Sequence, residues 1–490
     1  MSSADLLVLS PLWIAAAAAI LLLLFIAAKR HFGLTAGFSL AAAALGLAAV
    51  FGAARFAPRT VTSLIVVDGY SLFFTGLFFA AGFIIFLLAS SYFPPSSRRR
   101  EEFFLMGFVA LLGASVLAGS VHFVSFFLGL EILSVSLYVL ISFPLERRES
   151  IEAGIKYLVL ASSSAAFLLF GAALVYGETG ALDFATWSSR AASGGGTLLF
   201  VLGVSLMIVG IGFKLAVVPF HMWTPDVYQG APAPSAALVA TISKGGMLAF
   251  LLRFFSTIDI RRFPSLGLVF ALVAGASMIA GNLLALRQNR VKRILAYSSI
   301  SHLGAILVAF LAGGAIGLEA AAFYLVAYIV TMTAAFGAVA LLSPEGADAD
   351  ALDDFKGLFW SRPGIAAVLT LALLSLAGIP MTAGFLGKFY VAAAGVGSSL
   401  WALVVILVAT SVVGLYYYLR VLVVMYGRPR AQGPEIPRPA PARRSSLAGG
   451  VALAALVLLL LWLGILPSGL IEMIRTTTAS LAGFTSWLLP

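Results

Sequence analysis

Four lysines fall inside stretches apolar enough to cross a lipid bilayer: Lys156, Lys214, Lys244 and Lys388. The chain holds seven lysines, so more than half stand where an ammonium is costliest. A fifth ionisable group, Glu131, falls in another such stretch. A charge at the bilayer centre costs about 3 to 10 kcal/mol, depending on snorkelling and local water. Groups that can gain and lose protons, kept in place at that cost, point to a path for protons or cations. The competing reading is structural: each charge ties one helix to another.

The surroundings of each group weigh these readings. Glu131 has Ser134 one turn on, on the same helical face. It reads as half of a proton-modulating ion pair with Lys214, or as a structural pair. Lys156 lies close to one end of its span, where it either snorkels to the interface or neighbours Glu131. Lys214 lies about 15 residues into its span. Lys244 is mid-span with Thr241 and Ser243 nearby. His302 lies about eleven residues, roughly 16 Å, from the arginine-rich end of its span. Tyr297, Ser298, Ser299 and Ser301 surround it. It is either a packing histidine or a relay between Lys244 and Lys388, since imidazole titrates near neutral pH. His221 is a possible relay; His31 and His122 stand at membrane edges and receive no role. Asp226 is expected to cap a short half-helix. Burial disfavours an ammonium and a nearby carboxylate favours it, so motion between such groups could load and unload a proton.

The elements that must position these groups are membrane helices. The chain has 490 residues, 61% of them hydrophobic and 10% charged, against roughly 25% charged in soluble domains. Long apolar runs without alternation exclude a barrel and call for helices that satisfy their own backbone. Fourteen spans are expected: 6–28, 34–54, 68–90, 103–120, 122–143, 154–176, 197–220, 234–256, 265–286, 294–313, 317–342, 364–397, 401–426 and 446–466. With the N-terminus outside, inner loops hold 18 Lys and Arg and the outer side 7. That bias predicts both termini on the outer face. It also explains the net charge of +10 better than nucleic-acid binding does.

Two spans are interrupted. Pro219 and Pro225 break the seventh; Pro380, Gly384 and Gly387 break the twelfth. Each break lies within eight residues of a lysine, Lys214 or Lys388. Interrupted helices in corresponding positions point to a transport site, and freed carbonyls suit a cation. The breaks are five spans apart, and an odd offset inverts the second unit. The expected architecture is therefore an all-α polytopic membrane protein with two inverted five-helix repeats, spans 4–8 and 9–13. Its expected segments are 1–100, 101–260, 261–430 and a C-terminal helix and tail at 431–490. The glycine run Gly194–Gly196 reads as a linker.

Composition also excludes chemistry. There is no cysteine, hence no disulfide, thiol nucleophile or cysteine-ligated iron–sulfur cluster. Four scattered histidines suggest no metal site. No phosphate-binding loop or dinucleotide fingerprint is present, so no nucleotide, flavin or haem site is expected in this chain.

The run 220–232, Phe-His-Met-Trp-Thr-Pro-Asp-Val-Tyr-Gln-Gly-Ala-Pro, with Lys214 upstream, resembles the N subunits of proton-pumping NADH:quinone oxidoreductase, respiratory complex I. So does 378–388, Gly-Ile-Pro-Met-Thr-Ala-Gly-Phe-Leu-Gly-Lys. The resemblance extends over essentially the whole chain. It implies an antiporter-like subunit of the membrane arm in the bacterial inner membrane, beside other membrane-arm subunits. FMN, iron–sulfur clusters, NADH and quinone would then belong to other subunits. It implies a proton path through Glu131, Lys156, Lys214, Lys244 and Lys388. Gln229 departs from the family pattern, where glutamate is common. The related L subunits are longer, with a lateral helix, and M subunits carry glutamate where Lys388 stands. The alternatives are an Mrp-type sodium/proton antiporter subunit and a structural membrane scaffold.

Overall fold

The computed structural model describes residues 2–93, 99–143, 145, 147–192, 197–257, 264–428 and 447–488. The expected linker Gly194–Gly196 and the loop residues Arg98, Arg261, Arg262, Arg430, Arg438, Arg443 and Arg444 lie outside them. Among the described residues, 13 helices are long and apolar enough to span a membrane. The first six are α1 (Ser10–Ala28), α2 (Phe32–Ala53), α3 (Gly69–Tyr92), α4 (Glu102–Gly119), α5 (Phe123–Ser142) and α6 (Arg148–Thr179). The seventh span is α7 (Leu198–Leu215) followed by the short α8 (Trp223–Gly230). Then come α9 (Ala233–Thr257), α10 (Pro264–Leu286), α11 (Val291–Ala312) and α12 (Gly314–Leu342). The twelfth span is two shorter helices, α13 (Pro363–Ala377) and α14 (Ala383–Gly397). The last spans are α15 (Trp401–Tyr426) and α16 (Leu447–Ile465). Thirteen continuous helices plus this divided one make the fourteen expected.

Three features depart from the sequence reading. A small antiparallel hairpin, β1 (Arg59–Thr62) and β2 (Ile65–Val67), joins α2 to α3. The expected tail forms α17 (Ser468–Leu488), which packs on α3, α9 and α12 and pairs Arg475 with Glu319 at 3.3 Å. Arg253, one of the seven basic residues counted on the outer side, is buried within α9 and not exposed at its end.

Burial sorts the helices into a shell and a core. The apolar window of α1 is 22% buried inside the protein, whereas those of α9 and α12 are 100% buried and that of α11 is 94%. The three innermost helices carry Lys244, His302 and several tyrosines, so those groups face protein rather than lipid. Close packing without a hydrophobic drive between helices relies on small residues. Gly171 of α6 faces Gly203 of α7 so closely that a Cβ on either would meet the other's carbonyl oxygen within 2.7 Å.

The two helix breaks end alike. Ala216 follows α7 with φ 60°, and Gly378 follows α13 with φ 85°. The amide of Val217 donates to the Gly212 carbonyl at 3.1 Å and that of Ala216 to Phe213 at 2.9 Å. At the second break, Ile379 donates to Leu374 and Gly378 to Ser375, both at 3.0 Å. Both are Schellman terminators, which need a left-handed residue at the turn. Pro225, expected to break the helix, instead lies inside α8 near its start, where its missing N–H costs nothing.

Candidate functional site

Lys214 lies in the last turn of α7, two residues before the left-handed Ala216. Its Nζ donates to Ser134 Oγ at 2.6 Å and lies 5.4 Å from the centre of the Tyr157 ring. The expected direct pairing with Glu131 does not occur among the described residues; Ser134, one turn along α5, takes the ammonium instead. Glu131 Oε1 is buried without a hydrogen-bond partner among the described residues. A buried acceptor left bare in this way is costly. The break beside Lys214 is held by two side chains from elsewhere. Trp223 Nε1 donates to the Phe213 carbonyl at 3.0 Å, and the Val218 amide donates to Ser277 Oγ at 2.9 Å.

Lys244 is fully buried at the end of a π-helical turn, Val239–Ser243, within α9. Such bulges redirect a side chain out of the regular helical row and often sit at functional positions. Lys244 Nζ donates to Ser299 Oγ at 2.6 Å and lies 5.3 Å from the Tyr228 ring centre. Thr241, near Lys244 in the sequence, bonds back to the Ala237 carbonyl of its own helix. Ser299 also shares a 2.5 Å bond with Tyr328 and a 3.3 Å bond with Tyr228.

His302 lies on α11 one turn beyond Ser299. Its Nδ1 is 2.6 Å from the Tyr324 hydroxyl and its Nε2 is 3.3 Å from that of Tyr418. Tyr418 also bonds Ser298. Ser301 accepts from Asn282 Nδ2 at 2.6 Å, and Tyr417 donates to the Asn282 carbonyl oxygen at 2.9 Å. Beside them a cavity of about 10 Å³, room for about one water, is lined by His302, Tyr324, Lys388 and Tyr418 among others.

Lys388 sits on α14, ten residues beyond Gly378. Its Nζ reaches back to the carbonyls of Leu376 and Ala377 at 2.9 and 3.0 Å. These are the last carbonyls of α13, where the helix dipole is negative, so the break supplies the counter-charge. The two lysines are therefore not equivalent. Ten residues beyond Ala216 the first break carries Asp226 instead.

Asp226 does not cap α8. Its carboxylate joins Lys156 at 3.0 Å and Arg293 at 2.8 Å. Lys156 also meets Glu152 at 2.7 Å and is 45% exposed, so it stands at the edge and not beside Glu131. Gln229 accepts from Arg293 at 3.1 Å, a role a neutral amide fills. His221 is buried, and neither ring nitrogen has a hydrogen-bond partner among the described residues, so it is not joined to the network.

A wide cavity of about 670 Å³ opens beside this edge, lined by Glu149, Glu152, Lys156, Asp226, Arg290 and Asp348 among others. Asp348 binds the fully buried Lys292 and accepts from the Tyr92 hydroxyl at 2.5 Å, with Arg147 at 3.7 Å. Burial opposes its ionisation, but the Lys292 and Arg147 cations outweigh burial and hold its carboxyl below the ordinary 3.8. Lys292 also donates to the Ala231 carbonyl at 2.6 Å, just before α9 begins. Among the described residues no group of three His, Asp or Glu could hold a metal ion.

Sequence reasoning missed Tyr228, Tyr324, Tyr328, Tyr418 and Asn282. Tyrosines four apart in a span otherwise apolar, as at 324 and 328, were the available signal, since a buried hydroxyl needs a partner.

A family model described as NADH:quinone oxidoreductase/Mrp antiporter, transmembrane, matches residues 120–414. NADH-quinone oxidoreductase subunit N of Methylococcus capsulatus is 44% identical over 96% of this chain and 95% of its own. The subunit N of Chromohalobacter salexigens is also 44% identical, over 97% and 99%. A chain of respiratory complex I from Thermus thermophilus, solved with bound aureothin, superposes with TM-score 0.79 and 33% identity over 94% of this chain and 98% of that one. A chain of the Mrp complex from a Dietzia species superposes with TM-score 0.87 over 100% and 99%, but at 21% identity it shares the fold alone.

Proposed function

The chain belongs to the NADH:quinone oxidoreductase/Mrp antiporter family, and on that premise we propose that it carries protons through Lys214, Lys244, His302 and Lys388 as an N-type membrane-arm subunit. Its redox partners, NADH, FMN, iron–sulfur clusters and quinone, belong to other subunits. The observation that carries the reading is the placement of Lys244 and His302 on helices enclosed by protein, each bonded to neutral hydroxyls and not to a carboxylate. A lysine locked to a carboxylate resists deprotonation; one held by a serine can release its proton.

In the mechanism, a shift of neighbouring subunits alters the distance between Glu131 and Lys214 across Ser134. Lys214 exchanges its proton, Lys244 and His302 pass one laterally, and Lys388 opens to the other side. The 670 Å³ cavity beside Lys156 and Asp226 is the aqueous mouth on the face bearing the arginine-rich loops. That face is cytoplasmic and both termini lie outside, which the loop charge bias supports. The spans 4–8 and 9–13 form inverted repeats, supported by the matching Schellman terminators five spans apart. The segments 1–100, 101–260, 261–430 and 431–490 remain useful divisions on this reading, as does Lys156 as an edge group of the path.

The test is the ratio of protons translocated to NADH oxidised by the complex in vesicles. Lys214→Ala and Lys244→Met should lower it with assembly unchanged. A wild-type ratio in both variants would sink the reading. A ratio that depends on sodium would favour the antiporter reading instead.

A further inference from the structure

We infer that Tyr328 and Tyr324 are relay residues, their hydroxyls carrying the proton from Lys244 to His302 and from His302 towards Lys388. The inference rests on the proton path above and supplies what it lacks, since neither Lys244 nor Lys388 makes a direct hydrogen bond to His302 among the described residues.

Two kinds of buried hydroxyl stand out among the described residues. Most bond to a backbone carbonyl, as do Thr241 to Ala237, Thr333 to Ile329 and Ser343 to Val339. The hydroxyl of Tyr70 does the same with Ala249 at 2.8 Å. A carbonyl only accepts, so such a hydroxyl is a dead end for a proton. Ser299, Tyr328, Tyr324, Tyr418 and Ser298 differ: their hydrogen bonds run to other hydroxyls, to imidazole or to an ammonium. The hydroxyls and the imidazole can both give and take, and the ammonium can give. These two-way bonds cluster between Lys244 and Lys388.

The order follows from the distances. Lys244 Nζ donates to Ser299 at 2.6 Å, and Ser299 meets Tyr328 at 2.5 Å. The Tyr328 ring packs on His302 with centres 6.0 Å apart, the one step of the row not bridged by a hydrogen bond among the described residues. His302 Nδ1 meets the Tyr324 hydroxyl at 2.6 Å. The Tyr324 ring lies against Gly387, the residue before Lys388, so closely that a Cβ there would fall 2.3 Å from it. His302, Tyr324 and Lys388 line the one-water cavity. Tyr324 and Tyr328 are one turn apart on α12 and face α11 together.

The proton balance needs no tyrosinate. The ammonium N–H bond of Lys244 breaks as Ser299 oxygen takes that proton; Ser299 gives its own to Tyr328, and Tyr328 gives its own to His302 once its hydroxyl turns from Ser299 to the imidazole and Tyr418 releases Nε2. The lysine ends neutral, the imidazole ends protonated, and each hydroxyl ends with one proton. Passing on from His302 through Tyr324 and a water to Lys388, which must be a neutral amine when the proton arrives and ends as the ammonium, restores the imidazole. Hydroxyl rotation then resets the row.

The experiment compares variants of the whole complex in vesicles, reading protons per NADH and the solvent deuterium isotope effect on pumping. Tyr328→Phe and Tyr324→Phe keep the ring and its packing on Gly387 but delete the hydroxyl. Both should lower the proton ratio to the level of Lys244→Met, with the complex assembled on native gels. Tyr70→Phe should retain the wild-type ratio. Ser299→Ala should fail and Ser299→Thr, which keeps a hydroxyl, should restore the ratio and the isotope effect. This rescue decides the matter even if a tyrosine variant assembles poorly. Wild-type ratio and isotope effect in Tyr328→Phe, Tyr324→Phe and Ser299→Ala, with Lys244→Met impaired, would overturn the relay alone. A wild-type ratio in Lys244→Met would overturn the path beneath it as well.

Discussion

Removing either partner of the Asp68–Arg253 pair should open the ends of α3, α4 and α9 that meet at this pair far more than removing both. The guanidinium grips the carboxylate with two bonds, of 2.7 and 3.0 Å, and its Nε donates to the Ala118 carbonyl at 2.8 Å. The side chains are 3% and 1% exposed, and the guanidinium lies 4.9 Å from the Tyr70 ring centre. Breaking a buried pair by deleting one partner costs about 3–5 kcal/mol, because the other charge is stranded. Asp68→Ala also loses the N-cap of α3, where Asp68 accepts from the Ser71 amide at 2.8 Å, for about 1 kcal/mol more. Arg253→Met keeps the cap. The double variant strands no charge, so its loss should be limited to the cap and a few neutral contacts, about 1–3 kcal/mol. The coupling between the two changes is then about 3 kcal/mol or more, far beyond the few tenths expected of independent sites. Amide hydrogen exchange of the assembled complex reads this directly. Peptides spanning 66–74 and 248–256 should lose roughly 150- to 4,000-fold protection in Arg253→Met and about fivefold more in Asp68→Ala, and most of that loss should be absent in the double. Additive losses, or unchanged protection in the single variants, would refute the reasoning. The proton ratio of the double variant should stay at the wild-type value, because these charges serve the fold and not the path.

Two further outcomes follow from the packing and the edge charges. Gly387→Ala puts a methyl 2.3 Å from the buried Tyr324 ring and should cost about 1–3 kcal/mol and impair pumping, whereas Gly450→Ala, with open space around it, should do neither; assembly on native gels and proton ratio check both. Asp348→Asn strands the buried Lys292 and should destabilise the complex by about 3–5 kcal/mol, measured as a lower unfolding temperature. Because the Asp348 carboxyl is held below its ordinary 3.8, its stabilisation is complete above that pH and is lost only as pH falls through the lower folded value. A stability slope between pH 5 and 8 that disappears in Asp348→Asn would contradict this assignment.

The sequence carried much of the fold because membrane crossing is a local property. A run of about 20 apolar residues must be a helix in lipid whatever lies beside it. The fourteen spans could therefore be read from hydropathy, and both breaks and the family from Lys214, Lys388 and the residues near them. The chemistry of the site was read less well. Which groups were ionisable was plain; which touched which was not. Glu131 and Lys214 look like partners along the chain, yet Ser134 intervenes. Asp226 looks like a cap, yet two cations from distant helices claim it. Lys292 looks like a loop charge and Arg253 like one at the end of a span, yet both are buried.

The lysines themselves were thus determined by sequence alone: their number, their spans and the cost of holding them in a membrane. Tertiary structure decided what each lysine is bonded to. Lys388 takes its counter-charge from the backbone of a broken helix, Lys214 and Lys244 rest on serines of other helices, and Lys156 leaves the interior for the edge. The physical reason is range. Hydropathy is summed along one segment, whereas a hydrogen bond of 2.6 Å between residues 55 or 80 positions apart exists only after the helices that carry them have packed.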